Sequence, residues 1–188
     1  MLMMRGRSFE QWGDEVAAAG CYGAATILDA GKDNASRSLH RIVKPIVTNA
    51  REAQKEKRVE EALEGYERAL GMDPTNSTAL AGIARVHEQR NAWVDASKYW
   101  RRVVEAEPDN AMAWLRLGLD QERCQQYAAA IEALEKATAP EHQTVVAEAR
   151  KRIARQALRA ARVAYASEEF EAAGDMIVVA EAIAGPPK

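Results

Sequence analysis

The chain has 188 residues, 47% of them apolar and 29% charged, with 11 glycines, 6 prolines and a formal net charge of −2. Many helix formers and few breakers predict an all-helical soluble protein, and the near-neutral balance excludes indiscriminate binding to DNA or to an acidic membrane. Two cysteines, Cys21 and Cys124, neither in a Cys-x-x-Cys pair, exclude a disulfide framework and read as reduced, buried thiols. The N-terminal Met-Leu-Met-Met-Arg-Gly-Arg lacks the apolar stretch of a secretory signal, and no segment has the apolar run that crosses a bilayer, so a cytoplasmic location is expected.

The strongest pattern is internal. Asp73-Pro74-Thr75-Asn76 and Glu107-Pro108-Asp109-Asn110 carry the same Pro-x-Asn tripeptide 34 residues apart. Ala62, Tyr66 and Ala69 before the first proline are answered by Ala96, Trp100 and Val103 before the second.

Taken in chain order, Phe9, Trp12, Gly13 and Val16, then Gly20, Tyr22 and Ala25, fill the first two-thirds of this template. Residues 1–30 are therefore expected to be a degenerate first repeat or helical cap. The turn-forming cluster Gly31-Lys32-Asp33-Asn34 has no apolar periodicity, and Pro45 fits only the opening turn of a helix. Residues 31–43 are read as a linker, with the next helix starting near Lys44. Three repeats follow over 44–142. The first offers Ile46, Asn49, Ala50 and Ala53, then Val59, Ala62, Tyr66 and Ala69. The second offers Leu80, Ile83, Ala84 and His87, then Trp93, Ala96, Trp100 and Val103. In the third, Trp114, Leu117, Gly118 and Gln121 precede Tyr127, Ala130, Leu134 and Ala137. A glycine inside a helix costs about 1 kcal/mol against alanine, so Gly118 implies a close backbone contact. Residues 143–185 hold an extended helix and a degenerate last repeat, stopped by Gly185-Pro186-Pro187, which would also suit a linker.

Catalytic constellations are missing from the sequence. There is no phosphate-cradling glycine loop, no His-Glu-x-x-His and no Gly-x-Ser-x-Gly elbow. Of three histidines, His87 lies on an apolar helix face and reads as core, while His40 and His142 read as solvated surface without partners at metal-ligand spacing. Glu60, Glu61, Glu64 and Glu67 flank Arg58 and Arg68 as a solvated, salt-bridged face. No enzyme activity, metal or cofactor is expected.

In its period, its small residues and its terminating prolines, the chain resembles tetratricopeptide-repeat proteins, well over 43–142 and loosely on the flanks. The resemblance implies an all-α superhelix, or solenoid, of antiparallel helix pairs, with Trp93, Trp100, Trp114, Tyr66 and Tyr127 packed between helices. It also implies that the first helix of each repeat lines a concave groove. Carried over by position, that face offers Lys44, Val47, Arg51 and Lys55, then Gly82, Arg85 and Glu88. Met112, Leu115, Arg116, Leu119, Glu122 and Arg123 follow, with Arg155, Arg159 and Arg162 last. Nine bases against two acids in a net acidic chain imply a groove for an acidic segment of a partner protein. Members that hold chaperone tails use a Lys, Asn, Asn, Lys and Arg clamp. Here Val47, Arg51, Gly82 and Met112 stand in four of those places and only Arg116 matches, so chaperone tails are not expected ligands.

Other readings remain open at this point. The chain would also suit the helical N-terminal module of a larger enzyme, such as a bacterial transferase, or a scaffold that self-associates through its solenoid ends. The basic run Arg150, Lys151, Arg152, Arg155, Arg159, Arg162 has no aromatic interleaving except Tyr165, so nucleic-acid binding is not expected.

Overall fold

The computed structural model describes residues 1–28 and 32–184. Among the described residues there are ten α-helices and no strand. They divide between two compact units, Met1–Arg90 and Asn91–Lys188. The first unit holds α1 (Leu2–Gln11), α2 (Glu15–Ile27), α3 (Lys32–Lys55), α4 (Val59–Met72) and α5 (Ser77–Gln89). The second holds α6 (Trp93–Ala106), α7 (Ala111–Arg123), α8 (Tyr127–Lys136), a short 3-10 turn at Pro140–His142, α9 (Gln143–Ala166) and α10 (Phe170–Ala184). Gly31 and the Gly185-Pro186-Pro187 stop lie outside the described residues.

The Pro-x-Asn tripeptide works as a helix start. Asn76 Oδ1 accepts from the Ala79 amide at 3.0 Å, and Asn110 Oδ1 accepts from the Ala113 amide at 3.0 Å. Each cap satisfies a donor that a helix N-terminus otherwise leaves open, a contribution of about 1 kcal/mol. Asp14 caps α2 in the same way through the Ala17 amide at 3.0 Å.

Turns between paired helices repeat in the backbone. Lys57 (φ 62), Asn91 (φ 57) and Gln125 (φ 61) are left-handed at the 34-residue period, and Gly13 (φ 78) and Glu168 (φ 63) take the same conformation at the flanking turns. The amides of Asp14, Arg58, Gln126 and Glu169 each reach back five residues to a helix carbonyl at 2.9 Å, which closes the end of the preceding helix.

In the first unit α3, α4 and α5 meet on Tyr66, which is 1% exposed. Its hydroxyl donates to Gln54 Oε1 at 2.9 Å. A Cβ placed on Gly82 would lie 2.3 Å from the Tyr66 ring, so only glycine lets α5 approach this closely. In the second unit, Leu115, Tyr127, Ala130, Leu134 and Ile153 form one apolar cluster joining α7, α8 and α9. The contact expected at Gly118 is present, because a Cβ there would lie 2.7 Å from Leu134 Cγ and 3.1 Å from the Ala130 carbonyl.

Several expectations are corrected. The stretch 31–43, read as a linker, is helix from Lys32 onward, and α3 does not start near Lys44. Ala35, Leu39, Ile42 and Val43 form a buried stripe at helical spacing that carries α3 through Pro45. Pro45 sits on the exposed side of the helix, where its ring displaces no core contact. His142, expected at the surface, is buried at 6%. Trp93 and Trp114 are half-buried, unlike Trp100 and Tyr127, which are core. Trp114 instead donates Nε1–H to the Pro108 carbonyl at 2.7 Å, with the Lys136 ammonium 4.4 Å from its ring centre. Both cysteines are free thiols and half-buried.

Candidate functional site

Within the first unit the exposed cations expected on the binding face are Lys44, Arg51 and Lys55 on α3 and Arg85 on α5. Two of them converge on one buried group. Burial pushes the Tyr66 phenol above its ordinary value, and the charges of Arg51 and Arg85 both act against that rise. An arginine from each of two helices therefore stands near one tyrosine hydroxyl. Val47 is not on this face: it is buried, and the groove position assigned to it belongs to the core.

The raised phenol has a pH consequence. The folded unit holds Tyr66 protonated to higher pH than the unfolded chain does, so the stability it contributes is whole below the ordinary value of 10.0 and falls as pH rises past it. Alkaline titration of unfolding free energy should show this loss, and Tyr66→Phe should reduce its slope. The same variant should cost about 1 kcal/mol at neutral pH through the lost hydrogen bond to Gln54. An unchanged alkaline slope would remove Tyr66 as its source.

In the second unit, α7, α8 and α9 enclose a cleft of about 700 Å³ lined by Glu122, Arg123, Gln125, Arg152, Gln156 and Arg159, among others. Glu122 is buried at 7% exposure and accepts two hydrogen bonds from Arg152, from Nε and from Nη2, each at 2.8 Å. Hydrogen bonding to Glu122 raises the Arg152 guanidinium above its ordinary value. This pair balances its own charge, which leaves Arg123 and Arg159 as the excess positive groups of the cleft. The Arg123 guanidinium carbon lies 4.0 Å from the centre of the Trp93 ring, a stacking contact that holds a long side chain in place.

Of the other expected residues, Arg116 is exposed on α7, and Leu119 is half-buried against the apolar cluster. Leu115, expected on the groove floor, is core at 5% exposure. Arg155 and Arg162 are exposed on the side of α9 opposite its buried stripe Ala149, Ile153, Ala157 and Ala161. Arg155 Nε donates to the Lys151 carbonyl at 3.2 Å. The cleft thus brings together Arg123 and Arg159, and not Arg155 or Arg162. Sequence reasoning missed Gln125, Gln156 and the bridging role of Arg152. An isolated Glu122 in a basic row, with a basic helix downstream, was the available signal for the last of these.

Among the described residues, no group of three His, Cys, Asp or Glu side chains could hold a metal ion. No described helix is long and apolar enough to cross a membrane.

A sequence profile of the tetratricopeptide repeat matches residues 53–117. Over that segment the chain carries tetratricopeptide repeats. Its helix pairs are of that family's all-α, solenoid-forming class, as comparison with solved structures bears out. The first tetratricopeptide domain of Spaghetti (RPAP3), solved with the HSP90 peptide SRMEEVD, matches with a TM-score of 0.54 at 15% identity, covering 60% of this chain and 93% of that one. YrrB, described as a tetratricopeptide-repeat protein with an unusual peptide-binding site, matches with a TM-score of 0.52 at 21% identity over 74% of this chain and 84% of its own. MamA matches with a TM-score of 0.51 at 17% identity, over 95% of this chain and 93% of MamA. No curated protein matches the sequence.

Proposed function

We propose that this chain is a non-catalytic interaction module that holds an acidic segment of a partner protein. The observation that carries the reading is the cleft of the second unit, where the one carboxylate is already paired and two further arginines line the space. A peptide carboxylate entering it meets the Arg123 and Arg159 forks, with Gln125 and Gln156 as neutral hydrogen-bonding neighbours. Arg51 and Arg85 offer a second basic pair in the first unit, where Lys44 and Lys55 are further exposed cations, and in the second unit Arg116 and Leu119 lie on α7 with Arg123. The reading is supported by the RPAP3 domain, which is similar in fold and was solved with the acid-containing peptide SRMEEVD. Chaperone tails themselves are not the ligand proposed, because Val47 and Gly82 are buried where the clamp needs polar side chains. Two half-buried free thiols fit a reducing compartment such as the cytoplasm.

The test is selection from random peptides displayed on phage, followed by titration of a selected peptide. Enrichment in Asp and Glu is expected, with affinity falling as salt rises. Single exposed Arg–carboxylate pairs contribute about 0–1 kcal/mol, so several must be reversed together. Arg123→Glu with Arg159→Glu in the second unit, or Arg51→Glu with Arg85→Glu in the first, should weaken binding at least about tenfold, equivalent to about 1.4 kcal/mol. Selected peptides with no acidic bias, or equal binding by both variants, would overturn the reading.

A further inference from the structure

Helix α10 is both apolar and single-signed. Between Phe170 and Ala184 its charged residues are Glu171, Asp175 and Glu181, with no Lys or Arg. It packs on α9 through Ala173 and Ala180, and the opposite side leaves Val178 exposed at 64%. Where this side meets the start of α8, Tyr127, Ala129, Met176, Val178 and Val179 line an apolar trough of about 570 Å³ with Asp175 at its edge. Exposed apolar surface concentrated in this way marks a docking surface.

The first unit carries a face of complementary character. Helix α1 packs on α2 with Gly6 pressed against the Tyr22 ring, and turns Met4, Arg5, Arg7 and Trp12 outward, Met4 at 77% and Trp12 at 76% exposure. Its one acid, Glu10, is held by Arg41 Nη2 at 2.7 Å and 2.8 Å. The exposed charge of α1 is therefore basic, beside an apolar knob, where α10 offers acids beside an apolar trough. Two α10 faces, or two α1 faces, would bring like charges together, at a cost to either pairing.

We infer that a second copy of this chain occupies the trough, with α1 of one molecule laid on α10 of the next. Met4 enters the trough, and Arg5 and Arg7 meet Asp175 and Glu171. Such a contact is heterologous: a molecule that uses one face on a neighbour keeps its other face for a further copy, so association proceeds beyond a single contact.

Sedimentation equilibrium over a concentration series tests this on the full chain. The average mass of the wild type should rise through successive multiples of 20.7 kDa, and salt should weaken the rise. Arg5→Glu with Arg7→Glu blocks one face and Val178→Glu blocks the other. All three positions are exposed, and circular dichroism verifies that both variants keep their helices. Each variant alone should sediment as a monomer. Their equimolar mixture should give dimers and nothing larger, because the only unblocked faces left to pair are one α10 and one α1. A wild type that stays monomeric throughout overturns the inference. So does association that survives the α1 substitutions, which would mean α10 pairs with itself, or a mixture that remains monomeric.

Discussion

Trp100→Ala will lower the unfolding free energy by about 3–5 kcal/mol. Trp100 is 2% exposed and is the largest fully buried side chain among the described residues. It sits on α6 between Ala96 and Val103, both buried, so the stripe it belongs to offers only small neighbours to refill the space. A core closes poorly around the loss of an indole, and the cost combines lost transfer energy with the cavity left behind. Urea unfolding followed by circular dichroism measures the change. Trp12→Ala is the matched control, since Trp12 is 76% exposed and its loss should stay within about 0.5 kcal/mol. A shift below about 1 kcal/mol for Trp100→Ala would remove its assignment as the centre of this packing.

Arg152→Ala should cost about 2–3 kcal/mol. Removing one partner of a buried pair leaves an uncompensated charge, which in a dry site costs about 3–5 kcal/mol. Here Glu122 is buried at 7% while the Arg152 side chain is 43% exposed. Water can reach the vacated side of the carboxylate, and the figure falls accordingly. The contrast is with Arg58, which bonds Glu56 and Glu61 in the open, where water screens both pairs, so its loss should leave stability nearly unchanged. A double-mutant cycle separates the two cases. Adding Glu122→Gln to Arg152→Ala should recover most of the loss, because the neutral amide no longer demands a counter-charge. If the double variant is as unstable as the sum of the singles, the ion pair is not what Arg152 supplies.

The central repeats were legible because their signals are local. Pro74 and Pro108 mark the period, Asn76 and Asn110 are the caps beside them, and Gly118 announces a close backbone approach. The turns themselves were invisible to residue matching. Positions 57, 91 and 125 share one backbone conformation but hold Lys, Asn and Gln, so the period persists in φ after it has left the side chains. Helix α3 was misread because a proline carries a strong local prohibition, and four buried apolar side chains upstream of it outweigh that prohibition in the folded unit.

Site residues were legible in charge and less so in direction. Whether a cation on a helix faces a cleft depends on register. The 24-residue α9 departs from the repeat's length, so only Arg159 of its three assigned arginines lines the cleft. Glu122 and Arg152 lie 30 residues apart, a pairing that only tertiary packing creates.

Within each unit, every helix packs on the helix next to it in sequence. Chain segments that must find one another are thus separated by little more than a turn, so loop closure costs little entropy and folding is correspondingly fast. Any pair can form first and recruit its neighbour, and any pair can open while its neighbours stay closed. Amide protons should therefore exchange in steps the size of one helix pair, and sticky strand-like intermediates have little time to accumulate.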